Sequence, residues 1–430
     1  MIELRLELPR GLRDIEPNEF EKIEWLREKF MENLDLFGFK KMEPSPIESL
    51  EILEAKSGPS IIDEIYYFKD KSQRDLGLRF DLTVGISRYV SSRRDLELPI
   101  KVGSFSGVWR YDEPQHGRYR WFFQWDAEIF GRPSVRSDAE VIEFSKVYLD
   151  KVGLKQVNIE INDRGIIEEY ITKVLDVSDE KEKSELLRML DKTTKKTEDQ
   201  IVEEYLIKGF SKEKVEKVLS VGKLRGEPTQ VLSELERLGL RGTGELRSIV
   251  EELEAREVKN FRINLGIVRG IDYYSGIVYE FYDESLSKLA VAGGGRYDKL
   301  MQSFGRNDIS ATGVAGGVER LIMALEQRNA LPHIRRGGIF VAYTTDRLKF
   351  KAQKITAKLR GSGYSTETDL YSRDLKKQLA YALKHSQYLV IIAPEEDRRE
   401  MCILKDLQSG EEETVEYNKL ADKIASLMNK

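Results

Sequence analysis

The sequence predicts an α+β core on a mainly antiparallel sheet with a helical insertion, followed by a C-terminal α/β domain with a mixed, mostly parallel sheet. Three observations support this prediction. Strand-like patterns occupy much of residues 1–164 and return within 256–330. The segment between them, 165–255, is rich in Lys and Glu and poor in aromatic residues, which favours an inserted set of helices. Strand and helix patterns then alternate within 336–430, as is typical of an α/β module.

The elements of the core can be assigned in chain order. The first is an amphipathic helix at 17–37, which Pro17 opens and which ends before Gly38. The remaining elements are a strand at 39–42, a hairpin at 64–70 and 76–83, a helix at 84–92, a strand pair within 101–131, a helix at 137–150, strands at 156–162, 260–282 and 288–293, and a last helix at 309–327.

The C-terminal part follows a linker at 331–338. Its first element is the apolar run IFVAY, and its last is a helix. Between them the predicted elements are a helix at 347–361, a strand at 365–371, a helix at 373–385, and strands at 388–393, 402–407 and 413–417.

Composition excludes several classes of protein. The chain has 430 residues, a net charge of −5 and one cysteine, Cys402, so no disulfide can form within it. Its three histidines, His116, His333 and His385, are far apart, so we assign no metal site. There is no apolar run of transmembrane length, and we expect a soluble cytoplasmic protein without a membrane partner.

The stretch 107–131 combines cations, carboxylates and aromatic residues on one predicted hairpin. Arg110 and Asp112 alternate along a strand and therefore share a face. Arg118 and Phe122 belong to the return of the hairpin. Guanidinium groups bind phosphate oxygens, aromatic rings stack on bases, and carboxylates accept hydrogen bonds from amino groups. A nucleotide platform is one interpretation, and a cross-strand ion pair on a solvated face is the alternative.

Two glycine-containing segments are further candidates. In 264–282, Arg269 follows apolar residues, and a cation there is costly unless an anion meets it. The alternative is a buried ion pair, for example between Arg269 and Asp272. In 292–300, AGGGRYDKL, three glycines can line a cleft, although they can also form a simple loop connector.

Polar residues beside apolar runs mark two more segments. In 313–325, GVAGGVERLIMAL, Glu319 and Arg320 stand near the start of an apolar helix. Arg320 is a candidate site residue, and the alternative is close helix packing with these two residues as a charged rim. In 78–83, LRFDLT, Asp81 and Thr83 share a strand face. They are candidate site residues, and the alternative is a polar strand edge.

Together these segments resemble the class II aminoacyl-tRNA synthetases, and the histidyl-tRNA synthetase family in particular. The helix 17–37 with the strand that ends near Pro44 or Pro46 resembles motif 1, WRYDEPQHGRYRWFFQ resembles motif 2, and GGVERL resembles motif 3. VRGIDYYSGIVYEF and AGGGRYDKL resemble the two signatures that distinguish the histidine enzyme within its class. Asp112 stands where the family often has glutamate, so either Asp112 or Glu113 is expected to contact adenine.

The resemblance implies that L-histidine is joined to tRNA(His) through a histidyl-adenylate made from ATP, with Mg²⁺ on the phosphates. Arg110 and Arg269 would be catalytic and hold the α-phosphate from two sides. The implied ATP contacts are Arg110, Asp112, Arg118, Phe122 and Arg320. The implied histidine contacts are Asp81, Thr83, Gln124, Glu128, Arg269, Tyr273 and Tyr274.

The resemblance also implies partners for each part of the chain. Residues 1–164 and 256–330 would form the class II catalytic core, which would dimerise with a second copy through the motif 1 helix. The insertion 165–255 would clasp the tRNA acceptor arm, and 336–430 would bind the anticodon. The alternative is a synthetase-like, histidine-sensing regulatory subunit without aminoacylation activity, although such proteins tend to lack this C-terminal domain.

Overall fold

The computed structural model describes residues 6–113, 119–194, 196–240, 242–268, 274–286, 289–332 and 338–428. Contacts divide the chain into two compact units, Met1–Leu331 and Pro332–Lys430. Among the described residues, the first unit has a large and a small sheet, the second unit has one sheet, and each unit has its own apolar core.

The first unit contains both strands and helices. Its strands are β1 Lys40–Lys41, β2 Ile47–Ser49, β3 Tyr67–Lys69, β4 Asp75–Leu78, β5 Ile100–Trp109, β6 Trp121–Gly131, β7 Asn158–Asp163, β8 Arg225–Gly226, β9 Phe261–Asn264, β10 Ile277–Tyr282, β11 Ala290–Arg296 and β12 Ser310–Gly317. Its α-helices are α1 Pro17–Leu36, α2 Leu50–Ser57, α3 Thr83–Ser92, α4 Val135–Lys151, α5 Arg164–Glu169, α6 Glu180–Asp191, α7 Glu198–Ile207, α8 Lys212–Gly222, α9 Pro228–Arg237, α10 Gly244–Ala255, α11 Asp298–Ser303 and α12 Val318–Gln327.

A nine-stranded sheet forms the centre of the described part of this unit. Its strand order is β1-β5-β6-β12-β11-β10-β7-β9-β8, and only the β1–β5 and β7–β9 pairs are parallel. The predicted mainly antiparallel sheet is therefore confirmed. A smaller antiparallel sheet, in the order β2-β4-β3, contains the predicted hairpin.

One face of the large sheet is covered by α1 and α4. Apolar residues recur along α1 at helical spacing, so one stripe of the helix is buried against the strands. The ring of Phe30 is the centre of this contact. Its centroid lies within 6.0 Å of the ring centroids of Phe105, Trp125, Phe144 and Tyr148. This packing holds β5 and β6 rigidly beneath the helices.

The segment predicted to be a helical insertion contains α6 to α10. It also supplies β8, which pairs antiparallel with β9 at the edge of the large sheet. α10 packs along α4, which itself lies on the sheet. The insertion is thus joined to the core by a strand pair and by a helix contact.

The prediction of a continuous helix at 309–327 was wrong in its first half. Residues Ser310–Gly317 form β12, which pairs with β6 on one side and β11 on the other. The glycines of β12 leave room for bulky side chains on the neighbouring strand. A Cβ on Gly316 would lie 2.3 Å from the ring of Trp125. Small residues lack a periodic pattern, so the pairing of β12 depends on strands that are distant in the sequence.

The second unit is a five-stranded sheet with helices. Its elements are β13 Ile339–Tyr343, α13 Lys349–Gly361, β14 Thr366–Thr368, α14 Leu375–His385, β15 Tyr388–Ile392, α15 Pro394–Asp397, β16 Met401–Asp406, β17 Glu412–Glu416 and α16 Leu420–Met428. The strand order is β14-β13-β15-β16-β17. β13 pairs in parallel with β14 and β15, whereas β16 pairs antiparallel with β15 and β17. The predicted mixed sheet is therefore confirmed, with two parallel and two antiparallel pairs among the described strands where mostly parallel pairing was expected.

Candidate active site

A cavity of about 440 Å³ opens over the middle of the large sheet in the first unit. Its walls come from residues just after β5, from alternate residues of β6, from the glycine-rich strands β11 and β12, and from the first turns of α3 and α12. Many of the predicted site residues line it together, namely Asp81, Thr83, Arg110, Asp112, Phe122, Gln124, Glu128, Tyr274 and Arg320. Side chains from widely separated parts of the chain therefore meet in one place.

Arg110 follows the last residue of β5 and is oriented by its neighbours. Its Nε donates to the carbonyl oxygen of Phe80 at 3.0 Å, and its Nη2 donates to Gln124 Oε1 at 3.3 Å. The guanidinium also lies 5.1 Å from the ring centroid of Phe122. The group is half-buried, and its remaining N–H donors can meet an anion in the cavity.

Gln124 belongs to a buried chain of hydrogen bonds. Its Nε2 donates to Asp126 Oδ1 at 2.8 Å, and Thr83 Oγ1 donates to Asp126 Oδ2 at 3.3 Å. Asp126 is fully buried, so these donors compensate part of the cost of burying its carboxylate. These hydrogen bonds to Asp126 orient the side chains of Gln124 and Thr83, both of which line the cavity, whereas Asp126 does not line it.

Glu128 is a buried carboxylate in the wall of the cavity. Its Oε2 accepts a hydrogen bond of 2.6 Å from the hydroxyl of Tyr297, and only 1% of the residue is exposed. Burial and the nearby Glu128 carboxylate raise the pKa of Tyr297 well above its usual value, so Tyr297 remains a donor. Glu128 can accept a further hydrogen bond from an N–H of a ligand.

The room for Glu128 comes from a glycine on the adjacent strand. Gly313 of β12 stands directly opposite Glu128 of β6. A Cβ on Gly313 would lie 1.3 Å from Glu128 Oε2, so another residue would displace the carboxylate. The hydroxyl of Tyr279 donates to the carbonyl oxygen of Gly313 at 2.9 Å and anchors this strand from the other side. The glycine thus has a steric role in the site.

Asp81 lies where the chain enters α3. Its Oδ1 accepts from the backbone N–H of Val84 at 3.1 Å, in the manner of a side chain that caps a helix. The residue is 5% exposed and lines the cavity together with Thr83. A carboxylate here suits a cationic group of a ligand.

A second cluster of charges lies around the start of α12. Arg320 Nη1 donates to the carbonyl oxygen of Ala290 at 3.2 Å. Its neighbour Glu319 accepts from the backbone N–H of Phe123 at 3.1 Å and from Arg13 Nη2 at 3.4 Å. Burial raises the pKa of Glu319 to about 7. The guanidinium of Arg13 lies 4.0 Å from the ring centroid of Tyr119, and that ring forms another wall of the cavity.

Comparison with known proteins identifies the family. The family model described as histidyl-tRNA synthetase matches residues 11–321, the greater part of the chain. The chain belongs to the histidyl-tRNA synthetase family. A second model, described as an anticodon binding domain, matches residues 338–427.

Individual relatives of the family resemble this chain over nearly its whole length. The histidine–tRNA ligase of Pyrococcus furiosus is 36% identical, with 97% of this chain and 98% of the relative covered. That of Pyrococcus horikoshii is 35% identical, with 99% and 100% covered. The crystal structure of histidyl-tRNA synthetase from Nostoc sp. PCC 7120 superposes with a TM-score of 0.83 at 26% identity, covering 99% of this chain and all of that one.

Three of the predicted site residues lie outside the described residues, namely Arg118, Arg269 and Tyr273. Of the four arginines predicted in the site, two lie among the described residues. Arg110 and Arg320 both line the cavity, although they are 210 positions apart in the sequence of this histidyl-tRNA synthetase family member.

Sequence reasoning missed some residues that organise the site. Asp126 has a readable signal, because Gln124, Asp126 and Glu128 recur at every second position of a strand and therefore share a face. Tyr297 and Tyr119 carry no such signal, since their roles arise only when β11 and the start of β6 come together around the cavity. The sequence predicts Glu319 only as part of a charged rim, yet it is buried.

Proposed function

We propose that this protein charges tRNA(His) with L-histidine through a histidyl-adenylate formed from histidine and ATP. One observation carries the proposal. A single cavity holds cationic side chains, including Arg110 and Arg320, beside the buried hydrogen-bond acceptor Glu128. Cations suit a triphosphate, and a buried acceptor suits an imidazole N–H. Membership of the histidyl-tRNA synthetase family supports the same function.

In the activation step, the carboxylate of histidine attacks the α-phosphorus of ATP, and pyrophosphate leaves. Both reactants are negatively charged, so the protein must place them together and neutralise the charge that develops. Arg110 would hold the α-phosphate from one side, since its guanidinium is already oriented by Phe80 and Gln124. From the family resemblance, Arg269 would hold the same phosphate from the other side.

The buried end of the cavity would select histidine. Glu128 and Tyr274 would bind the two imidazole nitrogens, with Tyr273 beside them. Asp81 and Thr83 would take the α-ammonium group, and Gln124 would lie near the substrate carboxylate or ammonium. An apolar side chain in this pocket would leave Glu128 without its ligand partner, which is a costly state for a buried charge. This pairing supports strong rejection of apolar amino acids.

The other end of the cavity would bind ATP. The ring of Phe122 and the guanidinium of Arg320 would enclose the adenine, while Asp112 or Glu113 would accept from its amino group. ATP would be bound in a bent conformation, so that Arg320 could also contact the γ-phosphate, together with Arg118. No group of three or more His, Cys, Asp or Glu that could hold a metal occurs among the residues that the structure describes. We propose that Mg²⁺ is bound chiefly by the phosphate oxygens of ATP and supplies charge screening.

The remaining parts of the chain would serve the tRNA. Residues 1–164 and 256–330 would be the catalytic core and 165–255 the insertion that meets the acceptor arm. Residues 336–430 would be the anticodon-binding domain, and the match to an anticodon binding model at 338–427 supports this assignment. In the described parts of the chain, no helix is both long and apolar enough to cross a membrane. We place the protein in the cytoplasm with its tRNA.

We also propose a homodimer formed through α1, the motif 1 helix. Light scattering at micromolar concentration should give twice the chain mass of 49.7 kDa. A monomeric mass under those conditions would argue against the dimer.

The test of the proposed function is exchange of labelled pyrophosphate into ATP, followed by charging of tRNA(His). The wild-type protein should exchange label only when histidine is present and should then transfer histidine to the tRNA. A histidine-sensing regulatory subunit would bind histidine but show neither activity. Absence of exchange from folded protein with histidine, ATP and Mg²⁺ would therefore refute the proposal.

A further inference from the structure

Arg296 of β11 forms a buried ion cluster on the side of the sheet away from the cavity. It is 5% exposed, its Nη2 donates to Asp138 of α4, and its Nη1 donates to the two oxygens of Glu245 at 2.8 and 3.0 Å. Glu245 lies in the first turn of α10, which belongs to the predicted insertion. The cluster therefore joins three elements: a strand of the catalytic sheet, a helix that covers it, and a helix of the insertion.

Tyr297, the residue that follows β11, contacts the proposed histidine pocket. Successive side chains of an extended chain point to opposite faces, so Arg296 and Tyr297 diverge. Tyr297 donates to Glu128, as described above. A displacement of Arg296 along or across the sheet would consequently move the donor that orients Glu128.

A second guanidinium connects α5, the helix that leads from the core into the insertion, to the same region. Arg164 begins α5, and its Nη1 donates to the carbonyl oxygen of Tyr274 at 3.0 Å. The backbone N–H of Ser275 donates to the carbonyl oxygen of Arg296 at 2.9 Å. The short segment 274–276 is thus held from one side by Arg164 and from the other by Arg296, and the side chain of Tyr274 lines the cavity.

We propose that Arg164 and Arg296 are positioning residues that couple the helical insertion to the histidine pocket. Arg164 connects α5 to the backbone carbonyl of Tyr274. Arg296 connects α10 of the insertion to the strand end that leads into Tyr297. Movement of α10 would then change the affinity for histidine. A ligand that binds the insertion and displaces α10 would therefore change the affinity for histidine by some factor. By thermodynamic reciprocity, histidine would change the affinity for that ligand by the same factor. This inference rests on the proposed function, because it assigns these contacts to the histidine end of that site.

The cluster could also be a purely structural connection, and the two roles differ in what a mutation changes. A structural role lowers the free energy of unfolding without a selective effect on one substrate. A positioning role raises the KM for histidine and leaves the KM for ATP unchanged, because Tyr274 and Glu128 both lie at the histidine end. Glu245 is the residue to change, since its side chain is 49% exposed. Replacing Arg296 would instead leave the buried Asp138 without its cation and endanger folding.

The experiment compares Glu245→Ala with Glu252→Ala in pyrophosphate exchange. Both glutamates are on α10, but Glu252 lies about two turns after Glu245 and pairs with Arg136 and Arg256, not with Arg296. Glu245→Ala should raise the KM for histidine on the order of three- to tenfold, with the KM for ATP unchanged. Glu245→Gln, which keeps an acceptor oxygen, should restore part of the loss. Glu252→Ala should behave as the wild type.

The outcomes separate the inference from the function on which it rests. Equal histidine KM values for Glu245→Ala and Glu252→Ala would overturn the inference, and so would a change confined to the thermal midpoint, to kcat or to the KM for ATP. Failure of the wild-type protein itself to exchange pyrophosphate would instead overturn the proposed function.

Discussion

The two ends of the cavity are built differently. At the proposed histidine end, Gln124, Asp126 and Glu128 are at most 4% exposed, and each is hydrogen-bonded to a neighbouring side chain. At the proposed ATP end, Arg110 and Arg320 are half-buried, and each donates to a backbone carbonyl oxygen. Buried and pre-paired polar groups favour discrimination among ligands, whereas half-buried cations favour binding and stabilisation of charge.

The largest expected effect comes from the cationic end. Arg110→Ala should lower the kcat of histidine-dependent pyrophosphate exchange by about 10²- to 10³-fold, because an oriented donor to the developing charge is lost. The KM for histidine should change little. Arg269→Ala is expected to have an effect of the same size on the basis of the family resemblance. Exchange kinetics over a range of histidine and ATP concentrations measure both parameters.

The control for this prediction is Arg136→Ala, which removes an exposed arginine whose partner is Glu252. It should retain wild-type exchange. If Arg110→Ala retained a normal kcat and lost only histidine affinity, the two ends of the cavity would have to be assigned the other way round.

The second effect tests the buried end. Glu128→Gln should raise the KM for histidine on the order of tens of fold, because a hydrogen bond to a charged acceptor contributes about 1.5–3 kcal/mol. The KM for ATP should stay near its wild-type value. Tyr297→Phe removes the donor to Glu128 and should give a smaller loss in the same direction. Isothermal titration with histidine alone would check both variants, and unchanged histidine affinity in Glu128→Gln would remove this carboxylate from the selective pocket.

The residues that the sequence could predict lie on regular elements with a clear pattern. Gln124 and Glu128 alternate on an aromatic strand, and that strand is β6, as expected for the hairpin. The helix at 17–37 likewise corresponds to α1, because its apolar residues recur at helical spacing. The structure shows that Gln124 and Glu128 line one cavity, whereas the roles assigned to their side chains remain predictions.

The residues that could not be predicted depend on contacts between distant segments. The prediction of a helix over β12 is wrong because Gly and Ala carry no periodic signal, and the strand character of β12 depends on pairing with β6 and β11. The hydrogen bond from Tyr297 to Glu128 joins positions 169 residues apart, so it exists only in the folded sheet. The same holds for Glu319, whose burial depends on Arg13 and on the backbone of Phe123.

The glycines of β12 offer a third and smaller test. A Cβ on Gly313 would collide with the carboxylate of Glu128, whereas a Cβ on Gly316 would collide with the ring of Trp125 in the apolar core. Gly313→Ala should therefore raise the KM for histidine, and Gly316→Ala should lower the free energy of unfolding by about 1–3 kcal/mol. Each variant is the control for the other. Equal effects on histidine KM would show that the cavity responds to general distortion of β12 rather than to the room left for Glu128.

The smallest expected effect concerns Glu319, the buried carboxyl at the ATP end. Its folded-state pKa is raised from 4.5 to about 7 by burial, so the folded protein holds a proton that the unfolded chain releases. Stability from this group is present at low pH and is lost as the pH rises from about 4.5 to about 7. Between pH 6 and pH 8, the wild type should lose about 1 kcal/mol of unfolding free energy relative to Glu319→Gln.

Chemical denaturation of both proteins at several pH values would measure this difference. Glu326→Gln is the control, because it removes an exposed carboxyl from the same helix without disturbing a buried contact. It should follow the wild-type pH dependence. Parallel stability curves for the wild type and Glu319→Gln between pH 6 and pH 8 would mean that Glu319 is already ionised in the folded protein. The ATP end would then carry one more negative charge beside Arg320, which would weaken the electrostatic attraction of the cavity for a triphosphate.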